Sequence, residues 1–402
     1  MINPYFCYAF SFIAAIVTYL LGWSDLYPEL SWSLLAFLLV TIGFHVYLGT
    51  RIRRPGNIFT SIAPFSEKGA LRVTLFVYAL WACEFMYAGG IPLMKLLLNQ
   101  PYNYRTFGIP SLHVFIVTFS SFYTVCLFHL YLSSRRRIIL VLYLVNLFAA
   151  ILIYNRGMFL FNLSSSFFLL LMSVNRIPRI WWLALPVSLA VLLYLFGVLG
   201  SLRVSREARK PYTTELFMQT GRANHRFVTS HVPREYFWAY IYISSPLANL
   251  QHTVNTKDAG DPSVGKLAEM INNELLMDFI SKRINTRFHL EPEKENTIPG
   301  PFNVSTVYAR SFSYWGWAGM FLMACAVAAI PWLYMRTLPA TSPFFLSGFS
   351  ILCTMFLFLA FDNTIRFTGF SFQLLYPFLL HYLSKKFPET QKFFVNNKVT
   401  NP

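Results

Sequence analysis

Charge is scarce in this chain. Charged residues make up only 12% of its 402 residues, whereas soluble domains carry roughly 25%. Hydrophobic residues reach 55% and aromatic residues 18%, and the mean hydropathy is +0.48. This composition excludes an ordinary water-soluble domain, because too few charges are present to cover its surface. It indicates a chain whose apolar surface faces lipid.

Cysteine and cofactor motifs are also scarce. The five cysteines all fall in apolar segments, and no two form a CxxC pair (Cys7, Cys83, Cys126, Cys325, Cys353). This pattern argues against a disulfide framework and against a zinc site. The sequence has no Walker loop, no GxGxxG and no GxSxG motif, and its histidines lack HExxH spacing. We therefore expect no metal and no nucleotide cofactor.

Long apolar segments dominate the chain instead. A helix needs about twenty mostly apolar residues to cross the hydrocarbon layer of a membrane. Ten segments qualify: 5–23, 31–49, 71–91, 111–133, 138–155, 157–174, 180–200, 311–331, 343–361 and 367–384. The expected fold class is an all-α polytopic membrane protein with about ten transmembrane helices. Helices 1–7 would occupy residues 1–200, a large and partly helical loop residues 201–310, and helices 8–10 with a short tail residues 311–402.

The distribution of basic residues predicts the orientation. With the amino terminus in the cytoplasm, the cytoplasmic links collect fifteen Lys and Arg residues, whereas the short links on the other side hold four. Cytoplasmic loops are enriched in Lys and Arg. We therefore expect both termini inside and the large loop in the periplasm of a bacterial inner membrane. The same rule accounts for most of the net charge of +16, so nucleic acid is not an expected partner.

Basic residues are dense at the start of the large loop. Arg203 and Arg206 come first, and Arg222, His225 and Arg226 follow within six residues of one another. If they lie on one helix, Arg222 and Arg226 share a face. A guanidinium group makes paired hydrogen bonds with phosphate, so this cluster predicts a site for a polyanion. The alternative is a solvated loop whose arginines pair with acids.

A few charged residues lie within or at the ends of the apolar segments. Glu84 is the one acidic residue well inside a segment, and Asp362 closes another. Carboxylates within a membrane are costly and are functional candidates. Arg156 and Arg366 occupy two very short links, which predict tight helical hairpins. The alternatives are an arginine that reaches to the membrane surface and a carboxylate–arginine pair that only holds helices together.

Glycine and proline cluster directly after Glu84. The segment 87–113 contains Gly89-Gly90, Pro92 and Gly108-Ile109-Pro110, and its polar residues include Lys95, Arg105 and His113. Glycine and proline unwind helix ends and let a backbone approach a ligand closely. Irregular backbone near a membrane needs protein or a wet cavity around it. We expect a shaped re-entrant segment here.

These motifs follow one another in a specific order. They are Glu84 with Gly89-Gly90-Ile91-Pro92-Leu93, Phe107-Gly108-Ile109-Pro110 with Leu112-His113, Asn155-Arg156-Gly157, Gly221-Arg222 with Arg226, Tyr242 with Pro246-Leu247-Ala248-Asn249, Asn303 with Ser305-Thr306, and Trp315-Gly316-Trp317-Ala318-Gly319. From about Glu84 to Gly319, and in its topology, the chain resembles the oligosaccharide repeat unit polymerases, the Wzy type of O-antigen and capsule synthesis. Members often carry an acidic residue before the last glycine motif, where this chain has Ser313-Tyr314-Trp315.

The resemblance implies a GT-C-like membrane glycosyltransferase. Such enzymes join oligosaccharide repeats carried on undecaprenyl pyrophosphate at the periplasmic face, with release of undecaprenyl pyrophosphate. Donor and acceptor are both lipid-linked, the bilayer is a partner, and a polysaccharide co-polymerase that regulates chain length is a further expected partner. No cofactor is implied.

The resemblance also gives the candidate residues their roles. Arginines fixed at helix ends would stabilise the developing charge of a pyrophosphate leaving group. Arg156, Arg222 and Arg226 are the first candidates for this catalytic role, and Glu84 is the leading candidate for the base that activates the acceptor hydroxyl. The expected substrate-binding residues are Lys95, Arg105, His113, Arg203, Arg206, His225, Arg310, Asp362 and Arg366. Of these, Asp362 and His225 are the reserve candidates for the base.

Three other functions fit parts of the sequence. An O-antigen ligase has a similar scaffold with a different acceptor, and the sequence separates the two poorly. A lipid-linked oligosaccharide flippase or another transporter is a second alternative, although no internal repeat of the kind common in transporters is present. A polysaccharide O-acyltransferase would need a histidine in the membrane near an acid, and His113 with Glu84 fits that requirement.

Overall fold

The fold is helical throughout the part of the chain that the structure describes. The computed structural model describes residues 2–52, 65–98, 100–103, 107–174, 178–257, 263–293 and 295–387, and no strand lies among them. The helices before the large loop are α1 Pro4–Leu20, α2 Trp32–Arg51, α3 Glu67–Tyr87, α4 Pro92–Leu97, α5 Leu112–Ser134, α6 Arg137–Leu152, α7 Arg156–Ser173 and α8 Arg179–Glu207. Those that follow are α9 Glu215–Thr220, α10 His225–Val228, α11 Tyr236–Thr256, α12 Val264–Met270, α13 Asp278–Phe288, α14 Ala309–Thr337, α15 Phe345–Phe358, α16 Thr368–Ser371 and α17 Leu375–Lys386.

Polar residues at helix starts set several boundaries. The side chains of Asn3, Ser66 and Asn155 accept hydrogen bonds from the backbone N–H groups of residues 6, 69 and 158. Such caps satisfy donors that the first turn of a helix leaves without partners. At the other end, α3 stops before Gly89 and Gly90, whose φ angles of 67° and 139° do not continue a right-handed helix. Helix α3 therefore ends four residues before the predicted segment 71–91 does, and it also begins four residues earlier.

Each of the ten predicted segments coincides with helical structure. Six helices are long and apolar enough to cross a membrane, namely α2, α3, α5, α7, α8 and α14, and α1, α6 and α15 are shorter apolar helices. The last predicted segment is not one helix, because α16 and a 3₁₀ turn at Phe372–Leu374 precede α17. The helices are thus compatible with a polytopic membrane protein, and the count of about ten crossings stays a prediction.

The helices pack around α1, α5, α7 and α15. Helix α15 contacts α1 and α7, and α7 contacts α5. Helix α8 differs from these four, because most of its residues are exposed and it packs mainly on α11. An apolar helix with so little protein around it is covered by lipid when it lies in a membrane.

The region expected as a loop is largely helical. Helix α8 continues through Arg203 and Arg206 to Glu207, and α11 forms 21 further helical residues. Gly197 and Gly200 of α8 make this packing possible, because added Cβ atoms would lie 2.0 Å from the carbonyl oxygen of Glu235 and 2.6 Å from Trp238. We call the end of the bundle that carries residues 201–310 the loop end.

Candidate active site at the loop end

Arg156 begins α7 at the loop end, directly after the α6–α7 hairpin. Its guanidinium lies over the Tyr154 ring at 4.9 Å and donates a hydrogen bond to the Tyr154 hydroxyl. Arg203 of α8 interacts electrostatically with the hydroxyls of Tyr154 and Tyr242 and pairs with Glu207 at 2.8 Å. Arg156 itself forms no ion pair within the described part of the chain. Tyr154 therefore lies beside Arg156 and Arg203, two arginines predicted from the sequence, at an exposed part of the loop end.

An aromatic contact links this place to the end of α15. Tyr242 of α11 stacks on Phe361 with 6.5 Å between the ring centroids. Asp362 follows Phe361, and its Oδ1 accepts a hydrogen bond of 2.6 Å from the Asn363 backbone N–H. Asp362 is exposed to solvent. The exposed Asp362 carboxylate thus follows Phe361 in the chain, and the Phe361 ring stacks on Tyr242. Tyr242 in turn lies beside Arg203.

Asn363 connects Asp362 to a second carboxylate. Its side-chain amide donates 2.9 Å hydrogen bonds to Glu274 Oε2 and to the Glu274 carbonyl oxygen. Glu274 is only 1% exposed, and its Oε1 has no hydrogen-bond partner among the described residues. It belongs to a π-helical turn, Ile271–Leu275, and such turns occur often at functional sites. Nothing in the sequence singled out Glu274, since it lies in a polar loop without a recognisable motif.

Two arginines lie around these carboxylates. Arg310 in the first turn of α14 pairs with Glu295 at 2.5 Å, and Arg366 lies 3.8 Å from Asp278. Both arginines interact electrostatically with Glu274 and with Asp362. The site therefore brings together three residues predicted from the sequence, Arg310, Asp362 and Arg366. We call the six residues Glu274, Asp278, Glu295, Arg310, Asp362 and Arg366 the carboxylate–arginine cluster.

The surrounding protein changes the acidity of both carboxyl groups bonded to Asn363. Burial raises the pKa of Glu274 to about 7, while Arg366, Arg310 and the Asn363 amide oppose the increase. The pKa of Asp362 is also raised, first because protein around it displaces water and also because Asp278 is nearby. Arg366, the Asn363 N–H and Arg310 lower it. Carboxyl groups with raised pKa values are stronger bases, which suits proton transfer near neutral pH.

A break in α14 adjoins this cluster in the sequence. Trp315 has φ −143° and ψ 23°, and Gly316 has φ 56° and ψ −143°, so the helix is interrupted after two turns. Gly319 allows the two parts to approach, because an added Cβ would lie 2.2 Å from the Ser311 carbonyl oxygen. The glycine motif that contributed to the family resemblance therefore has a structural reason in this chain.

Glu84 occupies a different and closed position. It is 0% exposed at the end of α3, where its Oε2 lies 2.8 Å from His113 Nδ1 and its Oε1 accepts a 3.3 Å hydrogen bond from the Ile109 N–H. The partner is His113, the histidine that the acyltransferase alternative pairs with Glu84, and not an arginine. Lys95 donates to the carbonyl oxygen of Ala88 at 2.7 Å and so caps α3. The expected shaped segment is therefore present, and Glu84 attaches it to α3.

The Arg222–Arg226 element packs on the link between α1 and α2. Arg222 has a positive φ of 45° and follows α9, whereas Arg226 lies in α10. The expectation that one helix presents both arginines is therefore wrong, because the chain turns sharply between them. Asn224 donates to the Gly22 carbonyl oxygen at 2.6 Å, and Ser24 donates to the Gly221 carbonyl oxygen at 2.6 Å.

Several predicted residues stay outside the cluster. Arg222, His225 and Arg226 are exposed on the α1–α2 side and form no ion pair within the described ranges. Arg206 is likewise exposed near the end of α8. Arg105 lies outside the described residues. Two separate basic areas thus exist at the loop end, one around Tyr154 and one on the α1–α2 link.

Comparison with known proteins does not identify the family. No protein-family model matches this chain, and neither a curated protein nor a solved structure matches it. The residues and their geometry therefore carry the functional argument, and the resemblance found in the sequence remains an expectation.

Proposed function

We propose that this protein is a membrane glycosyltransferase that polymerises undecaprenyl-pyrophosphate-linked oligosaccharide repeats into O-antigen or capsular polysaccharide. The observation that supports this proposal is the neighbourhood of Arg156, Arg203 and Asp362 at one end of the bundle. Exposed arginines at a helix end suit a pyrophosphate leaving group. An accessible carboxylate linked to them by two stacked rings suits an acceptor hydroxyl.

An apolar groove beside the second basic area fits the lipid part of such substrates. It lies between α1, α8 and α11, and Trp23, Leu193 and Tyr240 are among its lining residues. Arg226 lies close to the adjacent Gly22, since a Cβ there would be 3.8 Å from its Nη1. A polyprenyl chain needs an apolar surface and its pyrophosphate a cation, and both occur here within a few residues.

Deletion of the gene tests the function. We expect the ladder of surface polysaccharide to collapse to a single repeat attached to lipid A-core, while lipid-linked repeats accumulate. Polymer that still forms on the carrier but does not reach lipid A-core would indicate a ligase. Loss of repeats from the periplasmic face would indicate a flippase.

Arg156 offers a sharper test with a matched control. Arg156→Ala should lower polymerisation about a hundredfold or more, because a positioned cation beside a developing charge contributes on the order of 3–4 kcal/mol. Arg156→Lys should also be impaired if the contact is bidentate. Arg51 at the opposite end of the bundle has the same arrangement, with its guanidinium 4.9 Å from the Tyr47 ring and a 3.0 Å hydrogen bond to that hydroxyl. Arg51→Ala should polymerise normally, and equal loss in both variants would contradict the proposal.

The proposed side of the membrane has its own test. A cysteine at Ser263, which begins α12 in the large loop, should react with an impermeant reagent after the outer membrane is permeabilised. A cysteine at Ser134, the last residue of α5 on the expected cytoplasmic side, should not react. The measurement uses a background without Cys83 and Cys325, which are the exposed cysteines. The reverse labelling pattern would overturn the proposed function, because lipid-linked repeats are joined outside the cytoplasm.

A further inference from the structure

Asp362 differs from the other acidic residues of the carboxylate–arginine cluster because its carboxylate is accessible from solvent. Glu295 pairs with Arg310 and Asp278 lies beside Arg366, and Glu274 is buried. Asp362 is exposed. Within the described residues its side chain forms one hydrogen bond, in which Oδ1 accepts from the Asn363 backbone N–H. Its Oδ2 is therefore available to a molecule that enters from the loop end.

We propose that Asp362 is the base that accepts the proton of the acceptor hydroxyl, and that Glu274 positions it through Asn363. This assignment rests on the proposed function and names the residue that carries its chemical step. Glu274 does not touch the substrate in this proposal. Its side chain holds the Asn363 amide, and the Asn363 N–H holds Asp362 Oδ1.

The chemical step balances without a metal or redox partner. The acceptor hydroxyl oxygen forms a bond to the anomeric carbon of the donor, and the bond from that carbon to the pyrophosphate oxygen breaks. The bonding electron pair leaves with undecaprenyl pyrophosphate, whose charge the arginines at Tyr154 stabilise. The hydroxyl proton passes to Asp362 and then to water.

The unpartnered oxygen of Glu274 is the second observation behind this assignment. A buried carboxylate oxygen without a hydrogen bond is unfavourable, and here it lies within the electrostatic reach of Arg310 and Arg366. The acidic Glu295 and the Tyr314 hydroxyl also interact with Glu274.

Glu84 is a poorer base in this structure than the sequence suggested. It is 0% exposed, and both of its oxygens already have partners. A hydroxyl of the acceptor would have to displace Ile109 or His113 to reach it. Asp362 needs no such displacement.

Asp362→Asn tests the base directly. The amide oxygen of asparagine still accepts the Asn363 N–H hydrogen bond, so the connection after α15 should keep its shape. Polymerisation in membranes from a deletion strain should fall about 10²–10⁴-fold at equal protein abundance, the usual contribution of a general base. Near-normal polymerisation by this variant would overturn the assignment.

Asp278→Asn tests whether the acidity of Asp362 controls the rate. A purely structural role for Asp362 would not shift the pH–rate profile. Asp278 raises the pKa of Asp362, whereas Arg366 lowers it. Removing the Asp278 charge also leaves Arg366 free to act on Asp362. Both effects lower the pKa of Asp362. The acidic limb of the pH–rate profile should therefore move to lower pH, and a lower rate with an unmoved limb would contradict the proposal.

The positioning role of Glu274 is tested by rescue. Glu274→Gln keeps an oxygen that accepts from Asn363, whereas Glu274→Ala removes it. The glutamine variant should polymerise at least about tenfold faster than the alanine variant. Equal rates at equal abundance would remove Glu274 from the proposal.

Different results would contradict the proposed function and the assignment of Asp362 as the base. If deletion of the gene leaves the polysaccharide ladder intact, the proposed function is wrong. If deletion abolishes the ladder and Asp362→Asn restores it, polymerisation stands and only the assignment of the base is wrong.

Discussion

Two buried glutamates at the loop end show opposite environments. Glu84 is 0% exposed and Glu274 is 1% exposed. Both Glu84 oxygens have hydrogen-bond partners, His113 and the Ile109 N–H. Glu274 has one oxygen bonded to Asn363 and one without a partner. Two glutamates of nearly equal burial therefore differ in how completely their oxygens are hydrogen-bonded within the described residues.

The residues around Glu84 and Glu274 also differ. Glu84 pairs with His113, whose ring lies 6.3 Å and 5.4 Å from the rings of Trp81 and Phe107. Glu274 faces two arginines and connects through Asn363 to an exposed carboxylate. Glu84 itself has no contact with solvent, while its partner His113 is 28% exposed, and the Glu274 site continues through Asn363 to the exposed Asp362. Three predictions test this difference.

The largest expected effect concerns Gly108, which makes the Glu84–His113 pair possible. Its φ is +91°, and an added Cβ would lie 2.5 Å from His113 Nδ1. Gly108→Ala should displace His113 and leave the buried Glu84 carboxylate without its partner. Breaking such a pair costs about 3–5 kcal/mol. The apparent melting temperature in detergent and the protein abundance in membranes should both fall.

Gly43 provides the matched control for this prediction. It lies within α2, and an added Cβ would meet nothing within 4 Å. Gly43→Ala should be neutral or stabilising by up to about 1 kcal/mol, because alanine favours a helix. A Gly108→Ala variant as stable as Gly43→Ala would mean that the Glu84–His113 contact does not hold the segment.

The second prediction concerns the pH dependence that Glu274 causes. Its pKa rises from the ordinary 4.5 to about 7 in the folded protein, so the folded state binds the proton more tightly. The stability from Glu274 is therefore complete below pH 4.5 and is lost as the pH rises through 7. The expected loss is about 3 kcal/mol. Melting temperatures measured between pH 5 and pH 8 should fall in the wild type and change less in Glu274→Gln.

Glu215 is a suitable control for the pH series. Its side chain is 67% exposed and lies 3.7 Å from Arg234, and exposed pairs contribute little. Glu215→Gln should keep the wild-type pH dependence. If Glu274→Gln also keeps it, Glu274 is not the group that titrates.

The smallest expected effect is that of Glu84→Gln on polymerisation. Glutamine keeps an oxygen for the Ile109 N–H and offers an N–H to the His113 ring. We expect a rate within about fivefold of the wild type, since hydrogen bonds of this kind contribute about 1 kcal/mol. A folded and abundant Glu84→Gln protein that makes no polymer would identify Glu84 as the base and would refute the role of Asp362.

Much of the architecture was predictable from the sequence. Segments of apolar residues long enough to cross a membrane can form only helices there, because lipid offers no partners to the backbone. The ten segments therefore located the helices. Their ends were predicted less well. Helix α3 begins four residues earlier than predicted and also ends four residues earlier, since Gly89 and Gly90 adopt positive φ angles. The helix content of residues 201–310 was underestimated, because α11 is stabilised by packing on α1 and α8.

The candidate site was predictable only in part. Arg156 and Asp362 could be named, because charge at the end of an apolar segment is rare and noticeable. Glu274 could not be named, because its surroundings come from Arg310, Asn363 and Arg366, which lie 36 to 92 residues later. The contact between Glu84 and His113 fits one alternative drawn from the sequence, whereas the turn at Gly108 that allows this contact was decided by the fold.

The sequence by itself determined the helical membrane class, the apolar segments and the list of charged residues at their ends, since these depend on composition and on residues close together in the chain. Only the tertiary structure decided which charges meet. It placed Glu84 in a closed pair, it separated the Arg222–Arg226 element from Arg156, and it joined Asp362 to Glu274 through Asn363. The physical reason is that a carboxylate acquires its acidity and its partners from groups within a few ångströms, and the packing of distant helices selects those groups.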